Sequence, residues 1–192
     1  MKIQKNIKLK FIVILLCSFS STANERADWL TNHIDIMQQE MVCKEQEKIN
    51  DVSPCNYFAS NVLYKGWGIN DFGSTDKHKL ANEMLDYVNN SSDWVHLGNG
   101  DSQETLNKAQ ELANDGYPVY AISSGKPNGH VAIIIPGSLS PSGAWKLNVP
   151  NSASFRLNKP RDQNSTYIGK MLSYSWVAAD KNKVNIFYRK MD

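Results

Sequence analysis

A thiol becomes a nucleophile when its pKa is lowered or a neighbouring base takes its proton, and histidine is the usual base. Two residues of this chain meet those needs by position. Cys55 stands in Asp51-Val-Ser-Pro-Cys-Asn-Tyr-Phe-Ala-Ser-Asn-Val-Leu. There Ser53 is a good N-cap and Pro54 suits the first helical position. Cys55 then falls in the first turn of a helix whose apolar positions are Phe58, Ala59, Val62 and Leu63. Free amides and the dipole at a helix start favour a thiolate there. His130 follows 75 residues later. It comes directly after the turn Gly125-Lys-Pro-Asn-Gly and opens Gly129-His-Val-Ala-Ile-Ile-Ile, the most strongly apolar strand candidate. An imidazole at a strand entrance lies at the rim of a sheet, where it can take the thiol proton and later give it to a leaving amine. A third polar group should orient the ring from the next strand. Lys146-Leu-Asn-Val-Pro-Asn offers Asn148 and Asn151, and Pro150 leaves the strand parity, and with it the choice, open.

These residues need helices first and a sheet afterwards. From Asn24, with Glu25 and Asp28 in a first turn, Trp29, Leu30, His33, Ile34, Met37 and Met41 recur at helical spacing. His33 reads as a packed residue of that stripe. After the Cys55 helix, expected to end near Gly66, Gly66-Trp-Gly and Asp71-Phe-Gly form a loop carrying aromatics, suited equally to a groove wall or a hydrophobic plug. Further helices are predicted over Asp76 to Val88 and from Asp101 or Ser102 to Gly116. Strands are predicted at Trp94 to Leu97, Pro118 to Ser123, Gly129 to Ile135, Ala144 to Val149, Met171 to Val177 and Val184 to Arg189, with a hairpin loop at Gly137 to Gly143. His78 and His96 read as ordinary surface or strand residues. The order argues for an α+β fold, N-terminal helices packed on a mostly antiparallel sheet.

Cys55-Asn-Tyr-Phe followed by Gly129-His-Val-Ala-Ile-Ile resembles the CHAP and NlpC/P60 branch of papain-like peptidoglycan hydrolases. It is similar also to cell-wall amidase toxins delivered between bacteria. The likeness spans roughly Ser53 to Asn151 and lies in motifs. Many NlpC/P60 members carry Asp-Cys-Ser-Gly, where this chain has Pro54-Cys-Asn-Tyr, so the bond cut stays open. The resemblance implies a papain-like fold and hydrolysis of an amide in peptidoglycan stem peptides by Cys55, His130 and Asn148 or Asn151. It also implies a cognate inhibitor or immunity protein for the toxin-like members.

Composition fits this picture. With 192 residues, 41% hydrophobic and 21% charged, the chain is globular and long enough for a proper core. Lys2, Lys5, Lys8 and Lys10 precede the apolar run Phe11 to Phe19, and Ser21-Thr-Ala supplies a small-residue cleavage site. Residues 1–23 are therefore expected to be an export signal, too short in its apolar part to span a bilayer. Residues 24–192 are expected to be one domain, periplasmic or secreted. Leu16 before Cys17 argues against lipidation. Without the signal the cations fall to 17 against 19 acids, so nucleic acid is not an expected partner. Four histidines without clustered spacing suggest neither a metal nor another cofactor. The competing reading is a non-catalytic exported binding or inhibitor protein stapled by a Cys43–Cys55 disulfide.

Overall fold

The computed structural model describes residues 32–41, 54–74, 77–126, 128–155 and 166–191. The expected signal, residues 1–23, and Cys43 lie outside them. The fold is α+β. Helix α1 covers residues 32–40, and α2 runs Pro54–Trp67, with Pro54 at the first helical position as expected. Helix α3, Ala81–Asn90, starts later than the sequence pattern suggested. Helix α4, Gln103–Asn114, is capped by Ser102, whose hydroxyl accepts from the Thr105 amide. Gly116 supplies the left-handed turn (φ 89°) that releases the chain toward the sheet.

The strands are β1 Trp94–Asn99, β2 Val119–Ser123, β3 His130–Ile134, β4 Ser140–Ser142, β5 Leu147–Val149, β6 Asn151–Phe155, β7 Thr166–Met171 and β8 Asn185–Arg189. Six of them form one sheet in the order β1-β8-β2-β3-β6-β7, while β4 and β5 make a separate hairpin. Every pairing between these strands is antiparallel. The unbroken apolar run of β3 fits its central place, since it is buried along its whole length.

Two expected strands and the expected hairpin loop at Gly137 to Gly143 differ, the loop because Ser140–Ser142 is strand β4. Of Ala144 to Val149, only Leu147–Val149 is extended; Lys146 takes a left-handed conformation (φ 58°) and turns the hairpin. Of Met171 to Val177, only Met171 belongs to a strand, and Leu172–Tyr174 is a 3-10 turn. Leu172 and Trp176 are buried four residues apart while Tyr174 between them is exposed. An apolar residue at every second position fitted either period, and the helical spacing prevailed.

The sheet carries a core on each face. On one, Phe58, Ala59, Val62 and Leu63 of α2 pack with Tyr120, Ile122, Val131, Ile133 and Phe155. On the other, Leu106, Ala109 and Ala113 of α4 pack with Val119, Ala121, Ala132, Ile134, Trp145 and Trp176. The alternation along β2 and β3 sorts their residues between the two. Phe72 of the aromatic loop is fully buried and stacks on Trp94, with ring centroids 5.2 Å apart. At Phe72 the loop is thus a plug.

Candidate active site

Helix α2 is aligned so that its first turn lies at the His130 end of β3. Phe58 meets Phe155 ring to ring at 5.5 Å. The register pairing Ile133 with Ala153 puts Phe155 level with Val131, one residue from His130. At the other end of the helix, the Trp67 indole donates to the Gly116 carbonyl (2.9 Å), close to where β2 begins opposite Ile134. The Tyr120 hydroxyl donates to the Ala59 carbonyl (3.0 Å) and fixes the helix between these points. Cys55, the second residue of α2, and His130, the first of β3, therefore come to the same end of the sheet.

Their faces differ. His130 shares the parity of Ala132 and Ile134, and its ring rests edge-on against Trp176 at 4.7 Å. The α2 stripe packs against Val131 and Ile133 on the opposite face. The His130 ring and the α2 stripe thus lie on opposite faces at the same end of the sheet.

The entrance to β3 is tightly built. A Cβ on Gly129 would lie 2.4 Å from the Ser123 carbonyl oxygen and 2.6 Å from Asn82 Oδ1, so only glycine fits without displacement. Asn82 accepts from the Gly125 amide (3.1 Å) and donates to the Gly125 carbonyl (3.1 Å), fixing the preceding turn to α3. Across the ladder from His130 stands Ser123, whose hydroxyl accepts from the Trp176 indole (2.8 Å) and holds that ring against the imidazole.

His130 is 2% exposed. Burial lowers its pKa from 6.5 to about 4, and a backbone hydrogen bond with Phe155 opposes this only in part. The ring is therefore neutral at pH 7. Nε2 lies 3.3 Å from Ser154 Oγ, whereas Nδ1 has no hydrogen-bond partner and is closed to solvent. His130, Trp176, Ser123 and Ser175 line a cavity of about 730 Å³ between the β2–β3 turn and the 173–183 segment.

The two asparagines are not beside this ring. The Asn151 carbonyl accepts from the Ile135 amide (3.0 Å), so Asn151 is five residues along β3 from His130, roughly 16 Å at strand rise. Its side chain donates to the Pro136 carbonyl (3.1 Å) and its amide donates to Gln110 (2.8 Å). Asn148 is exposed on the separate hairpin opposite Pro141. Its backbone is clasped by Gln103, with amide and carbonyl both at 2.9 Å. Pro150 falls between β5 and β6, so neither strand carries an asparagine toward the imidazole. The neighbour that does reach the ring is Ser154, which the sequence reading passed over. His78, expected at the surface, is buried 3.9 Å from the Tyr57 ring near the start of α2. His33 is packed against Trp67 as expected, and His96 is exposed on β1.

Among the described residues no group of three or more His, Cys, Asp or Glu side chains comes together as a metal site would. No helix of the described residues is long and apolar enough to cross a membrane. No protein-family model matches the chain, and no curated protein matches it either.

Proposed function

We propose that the chain is an exported cysteine hydrolase of papain-like fold that cuts an amide bond in peptidoglycan stem peptides. Cys55 serves as nucleophile and His130 as general base and acid. The observation that carries this reading is that the first turn of α2 and the start of β3 stand at the same end of the sheet. The lysine-rich start and the apolar run after it, read as an export signal, support it. Because the ring is neutral at pH 7, it can take up a proton as attack proceeds. The thiol proton passes to the bare ring nitrogen while sulfur bonds to the carbonyl carbon. The imidazolium then protonates the amide nitrogen as the C–N bond breaks, leaving a thioester. Water, losing its proton to the same nitrogen, attacks that thioester, and the thiol regains the proton as the carboxylic acid departs. Nδ1 is closed to solvent, so the site must open before the reaction.

A second reading has one observation in its favour: the ring rests on Trp176, on the face away from the α2 stripe. On that reading the chain is a non-catalytic exported binding or inhibitor protein with a Cys43–Cys55 disulfide. Digestion of purified peptidoglycan, with products identified by mass, separates the two. The hydrolase releases fragments with new amino and carboxyl ends and is labelled at Cys55 by a thiol reagent without reductant. An undigested substrate together with a Cys43–Cys55 bridge in the non-reducing peptide map would establish the second reading instead.

A further inference from the structure

Ser154 meets the His130 ring from the neighbouring strand, and the functional meaning of this contact rests on the hydrolase reading. Ser154 is 1% exposed on β6, and its hydroxyl has one proton to donate. That proton has a good acceptor in the Val131 carbonyl at 2.9 Å, much nearer than the Phe155 carbonyl at 3.4 Å. Toward His130 Nε2, at 3.3 Å, the Ser154 oxygen is therefore left with lone pairs only. A neutral imidazole carries one N–H, and facing an acceptor it places that hydrogen on Nε2. Nδ1 is then the bare nitrogen, consistent with its lack of a partner.

We infer that Ser154 is the positioning residue of the site: its hydroxyl, committed to the Val131 carbonyl, holds the imidazole as the Nε2–H tautomer and leaves Nδ1 to take the Cys55 proton. This is the task the sequence reading gave to Asn148 or Asn151. Ser154 performs it from the strand beside His130, where the register puts it level with Ala132 and on the same face of the sheet. The edge-on Trp176 ring and a backbone hydrogen bond with Phe155 hold the imidazole together with Ser154.

The tautomer can be read without catalysis. Long-range proton–nitrogen NMR of the full chain at pH 7, with ¹⁵N-labelled histidine rings, should show His130 protonated at Nε2 and bare at Nδ1. Ser154→Ala should move the ring toward the Nδ1–H form. On peptidoglycan its kcat should fall about 100-fold, the cost of a misplaced reacting group, with KM within about twofold. Ser154→Thr, which keeps the hydroxyl, should restore both. A wild-type ring protonated at Nδ1 overturns the inference, and so does a folded Ser154→Ala that keeps the wild-type tautomer and kcat. If Ser154→Ala does not fold, the wild-type tautomer decides. A tautomer that shifts in Ser154→Ala while wild type hydrolyses nothing upholds the positioning role and removes the hydrolase reading.

Discussion

Acid should destabilise this protein in part through the buried imidazole of His130, and that effect can be isolated. The folded His130 has a pKa of about 4 because burial excludes the charged ring, whereas the unfolded chain titrates near 6.5. Above pH 6.5 the ring is neutral in both states and contributes no pH dependence. Between pH 6.5 and 4 the unfolded chain binds a proton that the folded chain refuses, so stability falls as pH falls. Below pH 4 both states are protonated and the loss is complete. At about 1.4 kcal/mol for each pKa unit between the states, the loss is on the order of 3 kcal/mol. That is a large part of the roughly 5–15 kcal/mol a domain possesses. Other groups titrate over the same range, so wild type has to be compared with His130→Gln, which cannot protonate. Urea unfolding of both at pH 7, 6, 5 and 4 should give a stability difference that changes steadily in favour of the variant as pH drops. Parallel stability curves from pH 7 to 4 would refute the buried neutral ring.

Four further outcomes follow from the contacts of these residues. Tyr120→Phe removes the fully buried hydroxyl that holds α2 at the Ala59 carbonyl, and should cost about 1 kcal/mol by thermal unfolding. Gly129→Ala forces a methyl group against the Ser123 carbonyl. It should destabilise the fold by at least about 1–3 kcal/mol in the same assay, with loss of hydrolysis. Asn148→Ala should leave turnover and stability unchanged. Asn151→Ala should lose about 1 kcal/mol of stability through its bond to the Pro136 carbonyl and keep wild-type turnover.

The parts of the fold that carried a strong local signal were readable from sequence. Pro54 and the Phe58-Ala59-Val62-Leu63 stripe marked α2, Ser102 and Gly116 marked the ends of α4, and the apolar run after His130 marked β3. Strand β6 was not readable, because Asn-Ser-Ala-Ser-Phe has small and polar residues where strands usually carry branched ones. Its Ser152 and Ser154 are buried all the same, since neighbouring carbonyls satisfy their hydroxyls. With β6 hidden in the sequence, Asn148 and Asn151 were the polar residues that the predicted next strand offered to the ring. Trp176 was assigned to a strand whose alternation fitted a turn equally well. His78 gave no local sign of burial, since its contact with Tyr57 is long-range in the chain. Cys55 and His130 were singled out by helix-start and strand-start chemistry. Their arrival at one end of the sheet depends on tertiary contacts such as Phe58 with Phe155.

The central claim is that Cys55 and His130 act as one unit, and a double-mutant comparison tests it most directly. Release of new amino ends from purified peptidoglycan should be measured for wild type, Cys55→Ala, His130→Ala and the double variant, with circular dichroism confirming the fold of each. His78→Ala serves as the control for the other imidazole near α2. Each single change at Cys55 or His130 should lower turnover by roughly 10²–10⁴-fold or more, and the double variant should be little worse than either. His78→Ala should keep its turnover. A folded His130→Ala protein with wild-type turnover, or a double variant whose losses simply add, would contradict the account.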